Sequence, residues 1–189
     1  MQDHLLLHLV GAAYCGKTTA CQHLAEQFHG TRISSSEPFR VMVREAGRKV
    51  NRQTLSDTAE AFREKHGVRA VVDLLAPMIQ QAPTRLVIVD GVRYPGTLAY
   101  FLQLSPRMKS RVIGVRASYD VRLTNARKHG TELTLTHLIR EDMLPTEHST
   151  NDLLAMADAV VENDGTETFL LDIVRHVEAW LYTHITPTP

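Results

Sequence analysis

Gly11-Ala12-Ala13-Tyr14-Cys15-Gly16-Lys17-Thr18 is the stretch of this chain best equipped for chemistry. It fits the spacing G-x-x-x-x-G-K-[ST], in which the backbone N–H groups of a loop wrap an anion of the phosphate type. Lys17 supplies a point charge for β and γ phosphates, and the Thr18 hydroxyl is placed to ligate Mg²⁺. The interior positions Ala12, Ala13, Tyr14 and Cys15, with Thr19 just beyond, complete the predicted phosphate-binding surface.

Phosphoryl transfer asks a protein to position two anions and neutralise their charge, so further acids and arginines matter. Asp90 follows the apolar run Leu86 to Val89 and reads either as a strand-tip acid that holds Mg²⁺ or as a turn cap. Arg93, three residues on, suits a bidentate contact with an acceptor phosphate, the alternative being a surface salt bridge. Glu37 reads either as a base for an acceptor hydroxyl or as an acid complementing a helix N-terminus. Ser35 and Arg40 flank it as acceptor contacts, and Arg63 and Arg69 lie further along as weaker candidates. Arg122 and Arg127 share one helix but stand about 140° apart around it, so they do not reach one phosphate without a lid movement. Arg140 is a third candidate, and for all three a solvated charged face is the plain alternative.

Those side chains need elements to hold them, and the chain alternates strand and helix. Leu5 to Val10 reads as a buried strand and Thr18 to Phe28 as a helix, so the loop joins a strand end to a helix start. Thr31 to Ser34 is a second short strand. Three helical stretches follow: one opened by Pro38 and closed by Gly47, one over Leu55 to His66, and one over Val68 to Gln81 with Pro77 as a kink point. Leu86 to Val89 is a buried parallel strand, Pro95 to about Leu104 a helix, Arg111 to Val115 a strand and Tyr119 to Lys128 a helix. Thr131 to Thr150 is polar with few apolar anchors. Ala159 to Val161 gives a last strand, and Glu167 to Leu181 a terminal amphipathic helix. The tail Thr186 to Pro189 is expected to be disordered.

Five strands with intervening helices predict an α/β fold with a mainly parallel sheet and helices on both faces, its ligands bound beyond the C-terminal strand ends. Residues 1–185 read as one domain, with a helical acceptor-binding insert over 35–82 and a lid-like segment over 122–150. At 189 residues such a domain buries about 70% of its unfolded surface.

Composition narrows the setting. Lys and Arg total 21 and Asp and Glu total 21, so no global field draws nucleic acid or an anionic membrane, and any anion site is local. No apolar run approaches the ~20 residues that span a bilayer, and the N-terminus lacks a leader pattern. Cys15 and Cys21 fit neither a zinc knuckle nor a redox pair and read as reduced thiols, which points to a cytoplasmic protein. Ten scattered histidines form no H-E-x-x-H or Cys/His cluster, so protein-ligated zinc is set aside.

In order, G-x-x-x-x-G-K-T, S-x-x-E-P-F-R, F-R-E-K-H-G, V-I-V-D-G-V-R and A-D-A-V-V-E-N-D-G-T make a chain that resembles the P-loop nucleotide kinases of the dephospho-CoA kinase and nucleoside monophosphate kinase group. The resemblance is closest to a branch with a strand-D-G-x-R motif and a terminal N-D-G loop. It implies a three-layer P-loop fold, ATP as phosphoryl donor, Mg²⁺, a nucleotide-like small-molecule acceptor, an arginine-bearing lid, and an adenine contact from Asn163 to Thr166, in particular Asn163 and Gly165. Two departures stand out: Tyr14 is bulky inside the loop, and strand two ends in Ser34-Ser35-Ser36-Glu37 where dephospho-CoA kinases carry an aspartate. Transfer to a hydroxyl and a regulatory ATPase without a small-molecule acceptor are the competing expectations. A GTPase lacks its N-K-x-D, and a polynucleotide-end kinase its aromatic and basic cluster.

Overall fold

Strand β1 (Leu5–Gly11) is buried along its whole length, because apolar side chains leave it toward both faces of the sheet. The computed structural model describes residues 4–103 and 109–185, the side chain of residue 185 excepted. The predicted helix end at Leu104 and the predicted disordered tail at 186–189 lie outside those residues.

Around β1 the sheet runs β2-β3-β1-β4-β5, with β2 at Thr31–Ser34, β3 at Leu86–Asp90, β4 at Lys109–Ala117 and β5 at Ala159–Asn163. All four pairings are parallel, so every strand tip points to the same edge. β1 sits in the middle with β3 on one side and β4 on the other, and the loop after it therefore opens at the topological switch of the sheet.

One face packs on α1 (Lys17–Gln27) and the C-terminal helix, Thr168–Ile185: Leu5, Leu7 and Leu9 meet Ala20, Cys21, Leu24, Phe169, Ile173 and Val177. The other face carries Leu6 and Val10 against Val72, Leu75, Leu98 and Phe101. Those residues come from α4 (Val68–Gln80) and α5 (Pro95–Gln103). Between β2 and β3, α2 (Glu37–Glu45), α3 (Arg52–His66) and α4 share a small core of Phe39, Ala59 and Val71. Helix α3 starts three residues earlier than the apolar pattern predicts. The Asn51 side chain accepts from the Thr54 N–H at 2.9 Å, while the Thr54 hydroxyl accepts from the Asn51 N–H at 3.0 Å, a reciprocal cap that draws Arg52 into the first turn.

The polar segment after α6 (Tyr119–Lys128) departs furthest from the pattern. It folds as α7 (Leu135–Asp142), α8 (Pro145–His148) and α9 (Thr150–Ala155), followed by β5 and α10, the C-terminal helix. Leu138, Leu153 and Leu154 are its buried anchors, too sparse for a helical period to be read but enough to dock short turns.

His8 is the exception on β1. It is fully buried, tilted against Phe101 at 5.1 Å, and neither ring nitrogen has a hydrogen-bond partner among the described residues. Burial lowers its pKa from 6.5 to about 4. The unfolded chain therefore binds a proton that the fold refuses, so the stability is complete above pH 6.5 and is lost as pH falls toward 4. The loss is on the order of 3 kcal/mol at most. His8→Leu is expected to flatten the drop in urea midpoint across that window; an identical pH profile in both proteins would clear His8 of the effect.

Candidate active site

Gly16 caps α1 with a left-handed backbone, φ 100° and ψ 2°, and a Cβ there would lie 2.5 Å from Asn163 Nδ2. The contact follows from topology, since β5 delivers Asn163 beside the loop that leaves β1. Asn163 Nδ2 donates to the Cys15 carbonyl at 3.0 Å, and its Oδ1 accepts the Gly165 N–H at 2.9 Å. From the other side, Arg122 Nε donates to the Ala13 carbonyl at 2.7 Å and Asn125 Nδ2 to the Tyr14 carbonyl at 3.0 Å. Three successive loop carbonyls are thus tied to protein side chains, while the first N–H groups of α1 lack intrahelical partners. Lys17 is buried and folds back across the loop, donating from Nζ to the Gly11 carbonyl at 2.7 Å and the Ala12 carbonyl at 2.5 Å. A buried ammonium beside unpaired N–H groups fits a polyphosphate.

Asp90, at the tip of β3, faces this loop. Its Oδ2 accepts from the Thr18 hydroxyl at 3.2 Å and from Arg32 Nη2 at 2.6 Å and Nε at 3.2 Å. A hydroxyl and a carboxylate at hydrogen-bond distance are the hard oxygen ligands that Mg²⁺ takes. Arg32 currently neutralises that carboxylate.

Beyond Thr18 and Asp90 opens a cavity of about 290 Å³. Arg32, Arg40, Arg52 and Arg93 line it together with Ser34, Ser35 and Ser36, and Phe39, Leu55, Val71 and Leu75 form an apolar wall. Ser35 helps to shape the floor, its hydroxyl donating to the Gly91 carbonyl at 2.5 Å. Glu147, from α8, closes the cavity: Oε1 accepts from Arg52 Nη1 at 3.0 Å and Oε2 from Arg93 Nη1 at 2.7 Å. Arg52 also meets Glu141 at 3.2 Å and lies over the Tyr14 ring, 4.9 Å from its centroid. Burial alone lowers the Arg52 pKa, but Glu147, Glu141 and Tyr14 outweigh it and leave it raised. Burial in turn pushes the Glu141 carboxyl up despite the pull of Arg52.

The structure brings Lys17, Thr18, Asp90, Arg93, Arg40 and Ser35 into this neighbourhood. Glu37 instead turns toward Arg44 at 3.5 Å and Arg40 at 3.8 Å, half exposed at the start of α2, and is not among the described residues lining the cavity. Arg63 pairs with Glu60 and stacks 5.1 Å from Tyr94, whose hydroxyl donates to Glu60 at 2.7 Å. It lines an adjacent cleft beside Met143 and braces Tyr94, which does reach the cavity. Arg122 is buried and spends both Nη atoms on Asp142, at 2.8 and 2.5 Å. Arg127, Arg140 and Gly165 are exposed, as is Thr19.

Sequence reasoning missed Arg32, Arg52 and Glu147. Arg32 hides inside a strand too short to show a period. The Asn51-x-x-Thr54 box was the available signal for Arg52, and Pro145 with an acid two residues later was the signal for a helix that starts at Pro145 and carries Glu147 in its first turn.

No family model matches the chain. It is 25% identical over 153 residues to a UPF0200 protein of Methanoregula boonei, spanning 77% of this chain and 83% of that protein. It is 27% identical over 126 residues to a UPF0200 protein of Pyrococcus abyssi, spanning 64% and 67%. Among solved structures, shikimate kinase from Acinetobacter baumannii in complex with shikimate superposes with a TM-score of 0.53 at 17% identity, over 98% of this chain and 97% of that one. TT1252 from Thermus thermophilus gives 0.61 at 18%, over 94% and 98%. The chain has the P-loop kinase fold. Shikimate kinases and a putative kinase from Chloroflexus aurantiacus are among the neighbours that share the fold, and the narrower likeness to dephospho-CoA and nucleoside monophosphate kinases rests on the sequence motifs alone. No helix among the described residues is long and apolar enough to cross a membrane.

The Arg122 clamp gives a direct test of what holds the loop. Arg122→Ala leaves Asp142 uncompensated and frees the Ala13 carbonyl, and is expected to cost about 3 kcal/mol in urea unfolding. Arg127→Ala, on the exposed face, is expected to stay within about 0.5 kcal/mol. Equal losses would show that the clamp does not brace the loop.

Proposed function

We propose that the chain is an ATP- and Mg²⁺-dependent kinase that transfers the γ-phosphoryl group to a nucleotide or nucleotide-like acceptor, with a nucleoside or deoxynucleoside monophosphate favoured. The observation that carries this reading is the 290 Å³ cavity between Thr18 and the insert, with four arginines facing an apolar wall. That combination suits an acceptor with an anionic end and a flat apolar end. Residues 1–185 act in this reading as one kinase domain, with 35–82 as acceptor-binding insert and 122–150 as lid.

Each side chain then has a task. The loop N–H groups and Lys17 hold the donor's phosphates, and the turn from Asn163 to Gly165 would meet the donor's base, with the Asn163 amide itself bracing the loop. Thr18 and Asp90 would hold Mg²⁺, which when bound screens the charge on the donor phosphates. Arg93 and Arg40 hold and orient the acceptor's oxyanion, and the α7–α8 lid excludes water from the transfer. Arg127, exposed on α6, would need the lid to move before touching a phosphate. An acceptor phosphate is already nucleophilic and needs no base, which matches a cavity whose carboxylates, Asp90 and Glu147 among the described residues, are both engaged by arginine.

A second reading is transfer to a hydroxyl, as in dephospho-CoA kinases or the shikimate kinases that share the fold. A specific observation keeps it in play: Asp90 lies at the donor end of the cavity and could take a proton if Arg32 left it.

The deciding experiment is turnover of ATP·Mg²⁺ with a panel of nucleoside monophosphates, deoxynucleoside monophosphates, dephospho-CoA and shikimate. A monophosphate is expected to give acceptor-dependent ADP, and Lys17→Ala to lower its rate by about a hundredfold or more. Acceptor-independent hydrolysis alone would sink the kinase reading in favour of a regulatory ATPase. Asp90→Asn separates the two acceptor classes only if Glu37→Gln is measured beside it: a large loss in both points to a hydroxyl acceptor, whereas an unimpaired Glu37→Gln is expected here.

A further inference from the structure

We infer that Glu147 is a built-in stand-in for the acceptor: its carboxylate fills the clamp between Arg52 and Arg93 that a phosphate monoester takes, and the acceptor binds by exchanging with it. The inference rests on the proposed function for calling that ligand the acceptor, although the exchange itself needs no catalysis.

Four observations converge on it. Glu147 is buried, at 3% side-chain exposure, yet it sits on a helix of only four residues, Pro145–His148. Its two oxygens take one guanidinium each from two different elements, Arg52 in α3 and Arg93 in the loop after β3, the bridging arrangement of a bound oxyanion. Both arginines line the cavity that begins at Thr18 and Asp90, so the carboxylate occupies the acceptor side of the donor loop. The other polar ties of α8 are neutral ones, Thr146 Oγ1 to Ser56 Oγ at 3.0 Å and Thr150 Oγ1 to the Glu147 carbonyl at 2.7 Å, so the clamp is the one ionic attachment of α8 among the described residues.

The chemistry selects the class of ligand. Displacing a paired carboxylate exchanges one monoanion for another and gains little when the newcomer is also a carboxylate. A phosphate monoester brings close to two charges at neutral pH and three acceptor oxygens, so it outcompetes Glu147 for the same two forks. The internal carboxylate thus filters acceptors by charge and releases α8 only when a dianion arrives.

The test uses the full chain without ATP. Calorimetric titration with AMP and with inorganic phosphate is expected to show Glu147→Gln binding both about tenfold or more tighter than wild type, because a neutral amide competes poorly. Hydrogen exchange on the wild type is expected to show the amides of residues 146–150 exchanging faster once AMP is bound. Unchanged or weaker binding by a folded Glu147→Gln would overturn the inference. So would slower exchange at those amides with AMP, or displacement by shikimate where phosphate has no effect. If the variant fails to fold, the wild-type exchange measurement decides alone. Turnover with AMP while residues 146–150 stay protected would sink this inference and leave the kinase reading standing. Faster exchange without turnover would do the reverse.

Discussion

Guanidinium groups crowded at the end of a parallel sheet cannot be left without counter-charge, and this one constraint organises everything above the strand tips. The chain as a whole is neutral, but Arg32, Arg52 and Arg93 converge in the cavity between the phosphate loop and the insert, and Arg122 reaches the same loop from α6. A partly buried cation without a partner costs several kcal/mol, so each has an acid: Asp90 for Arg32, Asp142 for Arg122, Glu147 for Arg93, and Glu147 with Glu141 for Arg52. Three of those four acids belong to the α7–α8 segment. The α7–α8 segment is therefore held down chiefly by charge, with Leu138 as its buried apolar anchor.

How much of this could be read from residues alone depends on whether a signal was local. The phosphate loop is a contiguous spacing, and Asp90 ends a run of four apolar residues, so both stand out without a structure. The parallel sheet follows from the same runs. Glu147 and Arg52 are 95 positions apart, and nothing near either one announces the other. Arg32 was masked differently: on a four-residue strand its neighbours carry no alternation against which a functional side chain could be noticed. The segment after α6 is polar and largely exposed, with Glu141, Asp142 and Glu147 serving the arginines, and the same polarity hid its helices. Glu37 is ambiguous in the opposite way, since its position one turn before an arginine describes a helix terminus as well as it describes a base.

The fold explains why the site tolerates such variety. Strand interiors are packed on both faces, with Leu5, Leu7 and Leu9 against α1 and α10 and Leu6 and Val10 against α4 and α5, so the frame is fixed by burial. Chemistry sits only on the strand tips and the segments they carry. At 13 to 19% identity the solved neighbours keep that frame, and identity so low leaves the tips almost wholly free to differ.

Tyr14 is a non-glycine residue held at φ 59° inside the phosphate loop, under the guanidinium of Arg52. The left-handed backbone costs about 1 kcal/mol, and the stacked cation returns a comparable amount. Loop and insert are consequently coupled through this one contact, so neither position can be altered without loading the other. A change at position 52 removes the support for tyrosine at 14 and favours glycine there, while a change at position 14 removes one of the contacts that hold the Arg52 guanidinium in place. The two sites should travel through evolution as a pair.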